Sequence, residues 1–243
     1  MIRLLVAAAL AATVAGCGAD PERGDTVTVF AAASLTESFT TIGREFEAAN
    51  RGTRVVFNFA GSSALAAQIN QGAPADVFAS AAPANMATVA GAGAPVTFAR
   101  NQLVIAVPRG NPKGVRSLAD LARGGVKVAL CAEQVPCGAA ARTVLDAAGV
   151  RFTPVTLEQD VKGALSKVRL GEVDAALVYR TDVKAAASDV DGVEFPGSAG
   201  AVNDYPIVVL KDAPNRAGAE AFVAFVRSER GRAVLTGAGF QPP

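Results

Sequence analysis

From Thr26 onward, short apolar runs alternate with longer stretches whose apolar residues return every three or four positions, and this alternation confines the chain to an α/β architecture. Thr26–Phe30 (TVTVF) reads as a strand. The next segment places Leu35, Phe39, Ile42 and Phe46 on one helical face. Arg54–Phe59 is a second strand, Leu65 and Ile69 mark a helix, Asp76–Ala79 is a buried strand, and a short helix is expected over 84–89. Leu103–Val107 (LVIAV) is a strongly apolar strand ending in the turn Pro108–Pro112. A second set follows: helix 117–123, strand 126–130, helix 138–148, strand 151–156, helix 161–170, strand 174–179 and a helix or turn over 181–187. Ile207–Leu210 is another apolar strand, and 215–236 carries the closing helices, with Phe222, Phe225 and Val226 facing inward.

Two such sets imply two lobes, one from 26–101 with 207–243 and the other from 102–206. The strands at 103–107 and 207–210 are the expected crossovers, and a pair of crossovers makes a hinge.

Composition removes most alternatives. Lys+Arg number 23 against 22 for Asp+Glu, so the basic surface that nucleic acid demands is missing. The chain has no His, which excludes Ser-His and Cys-His nucleophiles and His-ligated metals, and no Trp to stack against sugars. We therefore expect a non-enzyme with no cofactor and no cation site.

Residues 1–16 read as an export signal rather than as part of the fold. Arg3 is a short positive region and Leu4–Val14 an apolar run of 11 residues, where a membrane span needs roughly 20. The run ends in Val14-Ala15-Gly16-Cys17, which resembles the bacterial lipobox, in which the Cys is lipidated and becomes the mature N-terminus. Residues 17–25 then form a flexible tether, and the protein is expected outside the cytoplasm, lipid-anchored to the cell membrane. Cys131 and Cys137 lie six residues apart; in an oxidising compartment they read as a small disulfide loop, the alternative being two buried thiols.

In open α/β sheets ligands sit where strands give way to helix N-termini. Four such junctions carry suitable residues: Phe30–Glu37 with Ser34-x-x-Glu37 at capping-box spacing, Phe59–Ser63, Val135–Gly138, and Gln159–Gly163. Each helix N-terminus offers unpaired N–H groups and about half a positive charge, so several converging ends bind an anion without a cation.

The segments TVFAAASLTESF, NFAGSSALAAQI, GAPADVFASA, QVPCGAAA, EQDVKGALSKV and DAALVY resemble, in that order, those of bacterial periplasmic molybdate-binding proteins, over essentially the whole chain from residue 26. The resemblance implies the type II periplasmic-binding-protein fold, two α/β lobes closing on a tetrahedral oxyanion. Carried over position by position, it implies hydroxyl and N–H contacts from Ser34 and Ser62, backbone N–H contacts from Cys137 and Val161, and a phenolic hydroxyl from Tyr179. Cys137 stands where the family often has Ala. Ser63 is the rival to Ser62, because the family's FASSS reads FAGSS here.

This set only donates, which suits molybdate or tungstate, dianions without a proton. Phosphate near neutral pH is partly protonated and calls for an acceptor; sulfate on the same fold remains the alternative. The implied partners are the oxyanion, the membrane permease of an ABC importer and, through the lipid, the membrane, with the protein itself a monomer. Asp76 reads as a structural anchor, and Lys113, Arg116, Lys162 and Lys167 as solvated surface charges.

Overall fold

The computed structural model describes residues 26–243; the signal, Cys17 and the tether lie outside the described residues. The first half of the molecule begins with β1 (Thr26–Ala32), a 3₁₀ turn at Ala33–Leu35, α1 (Thr36–Ala49), β2 (Arg54–Ala60), α2 (Ser62–Asn70), β3 (Val77–Ala79) and α3 (Pro83–Ala87). β1 is flanked by β2 and β3, parallel to both. Such a strand has helices on either face, which is why TVTVFAA is almost continuously apolar. On one face, Phe39, Ile42 and Phe46 of α1 are fully buried against Phe222, whose ring lies 6.0 Å from Phe39 and 5.4 Å from Phe46. On the other, Leu65, Phe78 and Met86 form a smaller core.

β4 (Val96–Pro108) spans both halves. Residues 96–102 pair antiparallel with the strand 202–209, whereas 103–108 pair with two strands of the second half. That half contains a 3₁₀ turn at Ala119–Ala122, β5 (Val128–Cys131), α4 (Pro136–Ala147), β6 (Thr156–Glu158), α5 (Val161–Arg169), β7 (Ala175–Tyr179), α6 (Arg180–Ala185), β8 (Val190–Val193) and a 3₁₀ turn at Ser198–Gly200. β9 (Val202–Val209) returns to the first half, where α7 (Arg216–Arg227) and α8 (Glu229–Ala238) close the fold. The strand order is β2-β1-β3-β9-β4-β7-β5-β6, with β8 also on β4.

Several expectations shift. The crossings fall where Asn101 pairs with Asn203 and Gln102 with Val202, a few residues before the apolar runs 103–107 and 207–210. The polar halves of β4 and β9 hide these crossings in the sequence. The strand expected over 151–156 lies later in the chain, as β6 over 156–158, since Pro154 has no N–H to give a ladder. The helix expected over 117–123 is only a 3₁₀ turn at Ala119–Ala122, entered through the Asp120 carboxylate, which accepts from Arg116 N and Ser117 N. β8 was not foreseen.

Candidate ligand-binding cleft

Five strand exits meet between the two halves. After β1 the 3₁₀ turn carries Ser34. Ser62 is the first residue of α2, Cys137 the second of α4, Val161 the first of α5, and Tyr179 the last of β7. All five line one cavity, whose remaining wall is Ala32, Ala33, Gly61, Ala81, Val135, Pro136 and Asp160. None of these residues is cationic. Ser34, Ser62, Cys137, Val161 and Tyr179 are each buried to 4% exposure or less. The rival Ser63 is half-buried and outside this wall.

The first-turn N–H groups of Ser62, Cys137 and Val161 have no intrahelical acceptor, so they are open to a ligand. Local chemistry aims them. Asp160 caps α5 by accepting from Gly163 N at 2.9 Å, which fixes the turn presenting Val161. The carboxylate at the cavity wall is thus engaged by its own helix. The start of α4 is held by the Cys131–Cys137 disulfide, with Cα atoms 5.8 Å apart. A Cβ on Gly138 would stand 2.0 Å from Ala132 O, so only glycine lets α4 begin this close to the end of β5. Replacing both cysteines by serine should lower stability by about 2 kcal/mol, as expected for so short a loop. Thermal denaturation without reductant checks this; an unchanged melting temperature would count against a stabilising role.

The three hydroxyls share one arrangement. Ser62 Oγ accepts from Ala81 N at 3.0 Å, Tyr179 Oη accepts from Asn203 Nδ2 at 2.9 Å, and Ser34 Oγ lies 2.8 Å from Tyr205 Oη. Burial raises the pKa of both tyrosines above the ordinary phenol value, so each keeps a proton to donate. The Ser34-x-x-Glu37 capping box does not form: the N-cap of α1 is Leu35, which has no side-chain oxygen, and Ser34 Oγ turns to Tyr205.

Lys162 is not a solvated charge. Its Nζ donates to both Glu37 oxygens at 2.8 and 2.9 Å, across the cleft, and pairs with Asp182 Oδ1 at 3.2 Å. Burial opposes its charge, yet the Asp182 and Glu37 carboxylates outweigh that and raise its pKa. Asp182 has no exposure, and burial pushes its carboxyl up to about 6 despite Lys162; its Oδ2 accepts from Tyr179 N. Lys167 and Lys113 lie at the surface, as expected, with Lys167 pairing with Glu172 at 2.7 Å and Lys113 Nζ reaching Gly125 O. Asp76 accepts from Thr28 N and Asn215 N, tying β1 to the entry of α7, in keeping with a structural anchor.

Asn203 and Tyr205 were not foreseen. Counting back by twos from Ile207 puts both on one face of β9, a signal obscured by Pro206 and by the polar run VNDY.

Residues 27–241 match the family of bacterial extracellular solute-binding proteins. The chain belongs to that family. Among curated relatives, this solute-binding protein is 47% identical to the molybdate-binding protein ModA of Mycobacterium tuberculosis, over 98% of this chain and 97% of that one. It is 32% identical to the molybdate-binding protein ModA of Escherichia coli, again over 98% and 97%. Among solved structures, the periplasmic molybdate-binding protein of Azotobacter vinelandii superposes with a TM-score of 0.77 at 24% identity, covering 89% of this chain and 99% of that one. The sulfate-binding protein SubI of Mycobacterium tuberculosis superposes at 0.72 with 19% identity, over 89% and 86%. These likenesses show the fold, the two-part α/β architecture of periplasmic binding proteins.

Proposed function

We propose that this solute-binding protein captures molybdate, and tungstate alike, outside the cytoplasm and delivers it to the membrane permease of an ABC importer. The observation that carries the reading is a cleft walled by buried residues whose available polar groups donate: helix N-terminal N–H groups and hydroxyls, with no cation and with its one carboxylate engaged. A dianion without a proton suits such a lining, because charge-assisted bonds to N–H and O–H groups need no counter-acceptor. The curated relatives named as molybdate-binding proteins point to the same ligand. Ser34 and Ser62 would hold the anion from the first half, and Cys137, Val161 and Tyr179 from the second, the two halves closing as lobes. Cys137 enters through its N–H; its sulfur is bound to Cys131 and is no nucleophile.

A thermal-shift screen with molybdate, tungstate, sulfate and phosphate tests the reading. A ligand present at 100 times its dissociation constant stabilises the folded state by about 2.7 kcal/mol. Molybdate and tungstate should give large and similar shifts, whereas a sulfate or phosphate shift of equal size at equal concentration would overturn the assignment.

Membrane attachment belongs to the same reading. Among the described residues no helix is long and apolar enough to cross a membrane. The lipobox-like Val14-Ala15-Gly16-Cys17 supports anchoring by acylation of Cys17, with residues 17–25 as tether, and by more than one acyl chain. Cys17→Ala should leave the membrane fraction or accumulate as an unprocessed precursor. A variant that stays acylated and membrane-bound would refute the anchor.

A further inference from the structure

Asn203 lies on β9 at the crossing between the two halves, half-buried and opposite Asn101. Its Nδ2 donates to Ala81 O at 3.0 Å and to Tyr179 Oη at 2.9 Å. A backbone carbonyl can only accept, so the amide orientation is fixed: nitrogen, not oxygen, faces both partners. Tyr179 Oη must then be the acceptor, and its proton is left for another direction. The same Ala81 sends its N–H to Ser62 Oγ at 3.0 Å. One side chain therefore braces hydroxyls on both sides of the cleft, Tyr179 directly and Ser62 through the backbone on either side of the Ala81 Cα.

We propose that Asn203 is a positioning and specificity residue, which engages an acceptor site on Tyr179 directly and holds the Ala81 backbone that engages one on Ser62, so that the protons of both hydroxyls are turned toward the cavity. The inference rests on the oxyanion reading above and deepens it. A protonated oxyanion such as hydrogenphosphate presents an O–H of its own, and a hydroxyl already accepting from Asn203 is poorly placed to receive it. A proton-free dianion meets only donors. Asn203 thereby contributes to discrimination without touching the ligand.

The test is calorimetry with molybdate and with phosphate on Asn203→Leu, Tyr179→Phe and the double variant, with Asn203→Ala as a second substitution should Leu fold poorly. Asn203→Leu should weaken molybdate binding about tenfold, as for one misaligned charge-assisted bond. Two readouts separate aiming from general support. The combined loss in the double variant should fall clearly short of the product of the single losses, because Asn203 acts on Tyr179 through its hydroxyl. The molybdate-to-phosphate affinity ratio should narrow in Asn203→Leu. Losses that multiply independently, or a ratio that stays put, would overturn the proposal. Should the wild type prefer a different oxyanion, the molybdate assignment fails while the same cycle, run on that anion, still decides the role of Asn203.

Discussion

Gly61→Val should fold like the wild type yet bind molybdate a hundredfold or more weakly, the loss expected from roughly two broken charge-assisted bonds at about 1.5–3 kcal/mol each. Gly61 is the N-cap of α2 with φ −60° and ψ 137°, a conformation open to any residue, so no backbone strain demands glycine here. The demand comes from across the cleft. A Cβ on Gly61 would stand 2.2 Å from Gln159 O and 3.6 Å from Asp160 Cβ, the turn that leads into Val161. A backbone carbonyl cannot swing aside as a flexible side chain can, so the halves would have to part. Parting them pulls the Val161 N–H away from an anion held by Ser34 and Ser62. Gly61 stands where the FASSS motif has a serine, and in this chain the 159–160 turn occupies the space a side chain would fill. Calorimetry and small-angle scattering check the effect: the variant should neither bind tightly nor compact on adding molybdate. Wild-type affinity in Gly61→Val would show that this contact does not gate closure.

The same closed arrangement explains which parts of the site could be read from sequence. Strand exits and helix starts are local, written in a few consecutive residues, so FAAAS, AGSS, VPCG and QDVKG reveal where N–H groups become available. Their convergence on one cavity is not local and rested on the order of segments shared with a known family. What escaped was held by distant partners. Lys162 looks solvated in a helical stretch, yet its cross-cleft partner Glu37 is 125 positions away. Ser34 looks like a cap for α1, yet its oxygen faces Tyr205, 171 positions on. Asn203 and Tyr205 sit in a polar run beside a proline that obscures the alternation leading back from Ile207, and the hydroxyls they support lie far off in the chain. Strand 151–156 failed for a local reason that was available, the missing N–H of Pro154.

Removing both serine hydroxyls should have an effect as large as blocking closure, but by a different route. Ser34→Ala and Ser62→Ala each delete one donor to a charged ligand, a loss of about 1.5–3 kcal/mol, so the double variant should bind molybdate hundreds of times more weakly or worse. The two singles should differ in stability. Ser62→Ala strands the buried Ala81 N–H, whose side-chain acceptor among the described residues is Ser62 Oγ, and an unpaired buried donor costs about 1–3 kcal/mol. Ser34→Ala strands less, since the Tyr205 O–H can rotate toward another acceptor, as the fixed Ala81 N–H cannot, and its oxygen still accepts from Asn101 Nδ2 at 3.4 Å. Ser62→Ala should therefore melt lower than Ser34→Ala while both lose affinity. Sulfate, a smaller ion, should already bind the wild type weakly because it cannot reach all donors at once, and it should lose proportionally less in either variant. Calorimetry on the two singles and the double, with molybdate and sulfate, decides the matter. Full molybdate affinity in both single variants would remove Ser34 and Ser62 from the site, and equal wild-type affinity for the two ions would mean that the cavity does not discriminate by size.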